Sequence, residues 1–176
     1  TIILELEKNG VDLIEIGIPF SDPLADGPVI QASGMKSLEN GMTLKILFEQ
    51  LKDIRQKTQI PLILMGYLNS VLQFGEEAFC EKCSEVGIDG VILPDLPLDF
   101  YKEKYEDLFK SHNLNNILLI SPQTSEERIR EIDDTSNGFV YLVSSNSITG
   151  ANKKIENQAQ YFHKIEELAK EEELAK

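Results

Sequence analysis

The sequence has 176 residues, enough for one domain with a sizeable core, and its 41% hydrophobic and 27% charged content is that of a globular protein. A formal net charge of -13 argues against nucleic acid as a partner, because phosphates require a basic footprint. No apolar run approaches the roughly 20 residues of a membrane span, and no basic stretch followed by an apolar one opens the sequence, so neither a membrane anchor nor a secretion signal is expected.

In chain order, residues 1–9 have the character of a helix closed by Gly10 as a C-terminal cap. Residues 12–18 form a strand by alternation: Ile14, Ile16 and Ile18 face one way, and Leu13, Glu15 and Gly17 the other. If the isoleucine face meets covering helices, Glu15 projects from the opposite face, which in a barrel is the interior. A carboxyl buried there resists ionisation and gains the raised pKa that general acid–base work near neutral pH requires. The loop from Pro19 to Pro28 carries Asp22 and Asp26 back over the C-terminal end of that strand, the end at which parallel α/β proteins build their sites. On spacing alone, a glutamate in a structural hydrogen-bond network with two turn-forming aspartates explains the same residues equally well.

A short helix is expected near 28–40, and a longer one from Thr43 as N-cap to about Lys57, with Leu44, Leu47, Phe48, Leu51 and Ile54 at helical period. Pro61 opens a strand, Leu62–Gly66. A helix over 75–86 ends at Gly87. Its Cys80 and Cys83 are spaced like a redox pair or half of a zinc site. They lie mid-helix, and the isolated His112 and His163 supply no second ligand pair, so the favoured reading is packing by reduced thiols, as in a cytoplasmic protein. A strand at 90–94 precedes a helix at 99–112 with Asp99 as N-cap. A strand at 117–121 precedes a helix at 125–134, where Thr124 and Glu127 form a capping-box pattern. A strand at 139–144, a loop through Asn152 and a last helix from about Asn157 complete the series. Five apolar strands separated by helices predict a parallel α/β sheet, and no linker breaks it, so residues 1–176 are expected to form one domain. The tail repeats EELAK at 166–170 and 172–176 with Glu–Lys pairs at i, i+4. It reads either as a natural solvated helix or as a designed or grafted cap, the second being preferred here.

The run from Gly17 to Gly27, GIPFSDPLADG behind a strand with an internal glutamate, resembles the signature of the tryptophan synthase alpha chain family at every specified position. GVILPDLP (90–97), GFVYLVS (138–144) and ITGA (148–151) stand in the family's order and spacing. The resemblance covers roughly Leu6 to Phe162.

That resemblance implies an eight-stranded TIM-type (β/α) barrel, present here as an incomplete parallel barrel of about five strands, the second to the sixth. It implies retro-aldol cleavage of indole-3-glycerol phosphate to indole and glyceraldehyde 3-phosphate, with no cofactor and no metal in this chain. The indole passes to a beta chain that uses pyridoxal phosphate. Glu15 matches the family's catalytic glutamate, and Asp26 the aspartate that accepts a hydrogen bond from the indole N–H. Tyr141 matches a tyrosine near that glutamate, although a plain core aromatic explains it too. Thr149 and Gly150 match a mobile loop that closes on the aspartate. Phe20, Met65, Ile92 and Ile120 match positions that line or support the indole pocket, with ordinary core as the alternative for each. Asp95 matches a position facing the beta chain, or else is a turn residue.

Two departures accompany the match. Ser145 to Ile148 replace the arginine and glycine that usually precede the loop threonine, which bears on loop closure. Barrel phosphate sites usually follow strands seven and eight, and no counterpart of either is found here, so the substrate's phosphate is expected to lack a home. An inactive barrel fragment or engineered structural module is therefore the alternative reading. In it the unpaired outer edges of strands 12–18 and 139–144 would drive self-association, most simply as a two-fold dimer, or else a rearrangement to an open sheet with helices on both faces.

Overall fold

The computed structural model describes residues 2–143 and 155–175. Helix α1 (Ile2–Lys8) ends where Gly10 takes a φ of +89°, a left-handed stop that glycine adopts without steric cost. Strand β1 (Ile14–Gly17) is followed by α2 (Pro28–Glu39) and α3 (Leu44–Leu51). Thr43 caps α3 as its spacing predicts, its hydroxyl accepting from the Ile46 N–H at 3.2 Å. The expected helix to Lys57 stops short, however. Its last turn is a separate 3-10 turn, Ile54–Gln56, which keeps Ile54 in the core.

Strand β2 (Leu62–Met65) runs into α4 (Leu68–Phe74), a helix the sequence pattern did not reveal, and then α5 (Glu76–Val86). Strand β3 (Gly90–Ile92) leads to α6 (Leu98–Phe100), a π turn at Tyr101–Tyr105, and α7 (Glu106–Ser111). The N-cap there is Pro97 rather than Asp99. Strands β4 (Asn115–Asn116) and β5 (Leu118–Ile120) are one chain path. Helix α8 (Glu126–Thr135) follows, capped one residue later than the sequence suggests. Ser125 Oγ accepts from the Arg128 N–H, while Thr124 Oγ1 accepts from the Ser121 N–H at 2.9 Å. Strand β6 (Val140–Leu142) and α9 (Ile155–Ala175) end the described chain.

All strand pairings are parallel, as the alternation of helices and strands dictates. One sheet has the order β1-β2-β3-β4, and β5 pairs with β6. The path bends at Ile117, whose N–H donates to Val91 O at 2.9 Å, so β5 continues β4 while changing its partner. Two apolar layers result. The larger lies between sheet and helices and includes Ile14, Ile18, Phe48, Leu62, Leu64, Phe79, Val91, Leu118 and Ile120. The smaller lies on the opposite, inner face: Ile63, Ile92 and Ile117, joined by Leu13, Met65, Leu119 and Tyr141. Fully burying each large aliphatic side chain contributes about 1.5–3 kcal/mol, so the helix-side layer dominates stability. Cys80 and Cys83 belong to it and are fully buried. Burial lifts the Cys80 thiol to about 12, with the Glu76 charge adding to the effect, and burial also pushes Cys83 up. Packing, not redox chemistry, is their role here.

Helix α9 docks on that layer through Leu168, and Lys164 pairs with Glu126 of α8 at 3.0 Å. Among the described residues no helix is long and apolar enough to cross a membrane.

Candidate active site

Strand β1 sits at the edge of the four-stranded sheet, with Glu15 in register beside Ile63 and Gly17 beside Met65, itself beside Ile92. The alternation places Glu15 on the inner face two residues before the strand's C-terminal end, as its sequence implies. The expectation of burial is corrected. Glu15 is exposed, because the inner apolar layer is small and β1 has only β2 beside it among the described residues. The desolvating surroundings expected for it from the sequence are therefore missing among the described residues.

Asp26 lies on the loop after β1 and is half-buried. Its Oδ2 accepts a hydrogen bond from the hydroxyl of Tyr67 at 3.2 Å, and that hydroxyl in turn accepts from the Ala25 N–H at 3.0 Å. Gln31 Nε2 donates to the Asp26 carbonyl at 2.9 Å, tying the loop to the first turn of α2. Asp22, by contrast, is exposed; its carboxylate accepts from the neighbouring Ser21 hydroxyl and its carbonyl from the Leu24 N–H at 2.9 Å, which fits a turn former. Phe20 stacks on the Tyr67 ring with centroids 5.2 Å apart at 28°. These groups wall a cleft of about 290 Å³ whose lining includes Gly17, Phe20, Asp26, Ser33 and Tyr67. The Tyr67 phenol is held above its usual pKa, first by burial, with the charges of Asp26 and Asp95 adding and the Ala25 N–H opposing. It is therefore a proton donor throughout the neutral range.

Of the remaining expected site residues, Met65, Ile92 and Tyr141 are gathered on the inner face with Glu15. Ile120 is not. It packs in the helix-side layer, and Leu119 occupies the inner face in its place, a change of face that follows from a shift of one residue in a strand. Thr149 and Gly150 lie outside the described residues. Asp95, on the loop after β3, caps α4: both its oxygens accept from the Leu68 N–H, at 2.9 and 3.1 Å. Sequence reasoning missed Tyr67. Its signal was its place directly after β2, at the same sheet end as the loop bearing Asp26. Among the described residues no cluster of His, Cys, Asp and Glu could hold a metal ion.

The sequence matches the family model described as tryptophan synthase alpha chain over residues 1–175. The tryptophan synthase alpha chain of Flavobacterium psychrophilum is 63% identical over 168 residues, which cover 95% of this chain and 66% of that protein. That of Flavobacterium johnsoniae is 61% identical over the same length, with the same shares covered. Among solved structures, tryptophan synthase subunit alpha from Legionella pneumophila superposes with a TM-score of 0.83 at 34% identity, over 94% of this chain and 61% of that one. A structure described as the tryptophan synthase α2β2 complex of Pyrococcus furiosus gives 0.83 at 34% identity, over 94% and 66%. The chain thus spans just under two thirds of the length of the curated relatives it matches, and its parallel sheet is part of their TIM-type barrel.

Proposed function

Since the chain belongs to the tryptophan synthase alpha chain family, we propose that it carries the catalytic pair for cleaving indole-3-glycerol phosphate to indole and glyceraldehyde 3-phosphate. In this reading Glu15 gives a proton to the ring carbon that bears the glycerol side chain. The same carboxylate then takes the proton of the adjacent hydroxyl. The side-chain carbon that bears this hydroxyl becomes the aldehyde carbon, its bond to the ring breaks, and the electron pair of that bond passes into the protonated ring, which becomes neutral indole again. One proton enters and one leaves, so Glu15 ends as it began. Asp26 accepts the indole N–H and stabilises the positive charge that gathers on the ring as it is protonated.

The observation that best supports this assignment is the placement of the two carboxylates at one sheet end. Glu15 is on the inner face of β1, and Asp26 is held half-buried by Tyr67 on the loop that follows. Phe20, Met65, Ile92 and Tyr141 supply apolar and aromatic surface there for an indole, with Leu119 in the place expected for Ile120. Thr149 and Gly150 would close on Asp26. The reaction needs no cofactor in this chain. The partner is a beta chain that takes the indole and uses pyridoxal phosphate, in the cytoplasm, and residues 1–176 form a single partial barrel domain. Incubating the complete gene product with indole-3-glycerol phosphate should release indole and glyceraldehyde 3-phosphate in equal amounts, faster when the beta chain is present. Absence of both products in the presence of the beta chain would contradict the proposal.

A further inference from the structure

Tyr67 has an arrangement that plain core packing does not require. Its ring stacks on Phe20, yet its hydroxyl reaches across to the loop of a different strand, 41 residues away in sequence from Asp26. The Ala25 N–H can only donate, so it fills a lone pair of the phenol oxygen and leaves the phenol's own proton for Asp26 Oδ2. The backbone on both sides of Tyr67 is fixed. The Gly66 N–H donates to Ile92 O at 3.1 Å, and the Leu68 N–H is capped by Asp95. A Cβ at Gly66 would lie 2.8 Å from Ile18 Cβ, so only glycine lets β2 come close enough to β1 at this level to bring Tyr67 against the β1 loop.

We infer that Tyr67 is a positioning residue that aims the Asp26 carboxylate at the indole N–H, one oxygen being held by the phenol while the other serves the ring. This rests on the reading of Asp26 given above. A hydrogen bond from a fixed phenol orients the carboxylate before substrate arrives, so no reorganisation accompanies charge development on the ring. Asp95 extends the arrangement: through the Leu68 N–H it pins the residue next to Tyr67, linking the loops after β1, β2 and β3.

The test is a kinetic double-mutant cycle in the complete gene product with its beta chain, using Tyr67→Phe, Asp26→Asn and the pair. Tyr67→Phe keeps the stack on Phe20 and removes only the hydroxyl. It should lower kcat by roughly tenfold or more, the scale of one hydrogen bond to a charged group, with KM changed less than about twofold because the ring charge exists only in the transition state. In the Asp26→Asn background the same substitution should cost less than about twofold, since the group it acts through is gone. A Tyr67→Phe loss that multiplies in full with the Asp26→Asn loss, or an unchanged kcat for Tyr67→Phe, overturns the inference while leaving Asp26 in place. An unchanged kcat for Asp26→Asn overturns the catalytic reading itself and the inference with it. Should Tyr67→Phe fail to fold, a fluorotyrosine at position 67 keeps the hydroxyl and raises its acidity. The groups facing it are Asp26 and Asp95, and the alkaline limb of kcat should move to lower pH; a limb that stays in place overturns the inference.

Discussion

Replacing Arg55 by alanine should destabilise the fold without touching the proposed chemistry. Arg55 sits in the 3-10 turn after α3 and uses its guanidinium as a fork at the N-terminal end of the sheet. Nε donates to Gly87 O and Nη1 to Ile60 O, each at 2.7 Å, and Nη2 pairs with the Asp89 carboxylate. Asp89 Oδ2 also accepts from the Leu62 N–H at 2.8 Å, so one cluster joins the starts of β2 and β3. The Arg55 side chain retains 24% of its exposure and that of Asp89 47%, so water compensates part of any loss. Two half-buried charge-assisted bonds at about 1 kcal/mol each and a partly exposed ion pair at about 0–1 kcal/mol give a loss of about 2–3 kcal/mol. For a domain of this size that corresponds to a drop in Tm of roughly 5–10 °C. Urea melts of the two proteins, followed by circular dichroism, should show a lower midpoint with an unchanged slope. Arg55→Lys should recover little, because an ammonium cannot serve three acceptors in a plane. A loss below about 0.5 kcal/mol for Arg55→Ala would refute the reasoning that this fork, and not the core alone, ties the strand starts together.

Glu76, at the first turn of α5, accepts from Lys104 Nζ at 2.6 Å and from the Tyr105 hydroxyl, and these bonds, that of Lys104 first, hold its carboxyl below its ordinary 4.5. As pH falls the unfolded chain takes the proton first, so the stability gained over a Glu76→Gln variant should be whole above about pH 4.5 and fade as pH drops through the lower folded value, as urea melts from pH 3 to pH 7 would record. Burial of Cys80 and Cys83 predicts that a maleimide labels neither in the native protein at neutral pH and both in urea; fast native labelling would contradict the packing role. The outer edges of β1 and β6 are unpaired among the described residues, and light scattering with gel filtration across a dilution series should find a dimer that dissociates on dilution; a monomer at all concentrations would remove that expectation.

What the sequence disclosed follows the range over which each signal acts. The alternation through Ile14, Glu15 and Ile16, the Thr43 cap and the left-handed Gly87, with its φ of +78°, are written within a few residues, and each is found as expected. Helix α4 was hidden because its cap is Asp95, 27 residues downstream of the Leu68 N–H it receives. The hold of Tyr67 on Asp26 was hidden for the same reason, since no local pattern records a bond across 41 residues. Ile120 and Leu119 are both apolar, so the pattern around them does not say which faces inward; register alone decides. The exposure of Glu15 is longer in range still, for it depends on what stands across the inner face and not on β1 at all.

The central claim is that Glu15 is the acid–base of the cleavage. Glu15→Gln keeps the size and hydrogen-bonding reach of the side chain on an exposed strand position, so the fold should be unaffected, and it removes the proton that must reach the ring. The measurement is indole release from indole-3-glycerol phosphate by the complete gene product with its beta chain, wild type against Glu15→Gln, with circular dichroism confirming that both are folded. The account predicts a fall of at least about 10³-fold in kcat for the glutamine variant. Turnover within about tenfold of wild type by a folded Glu15→Gln protein would contradict it.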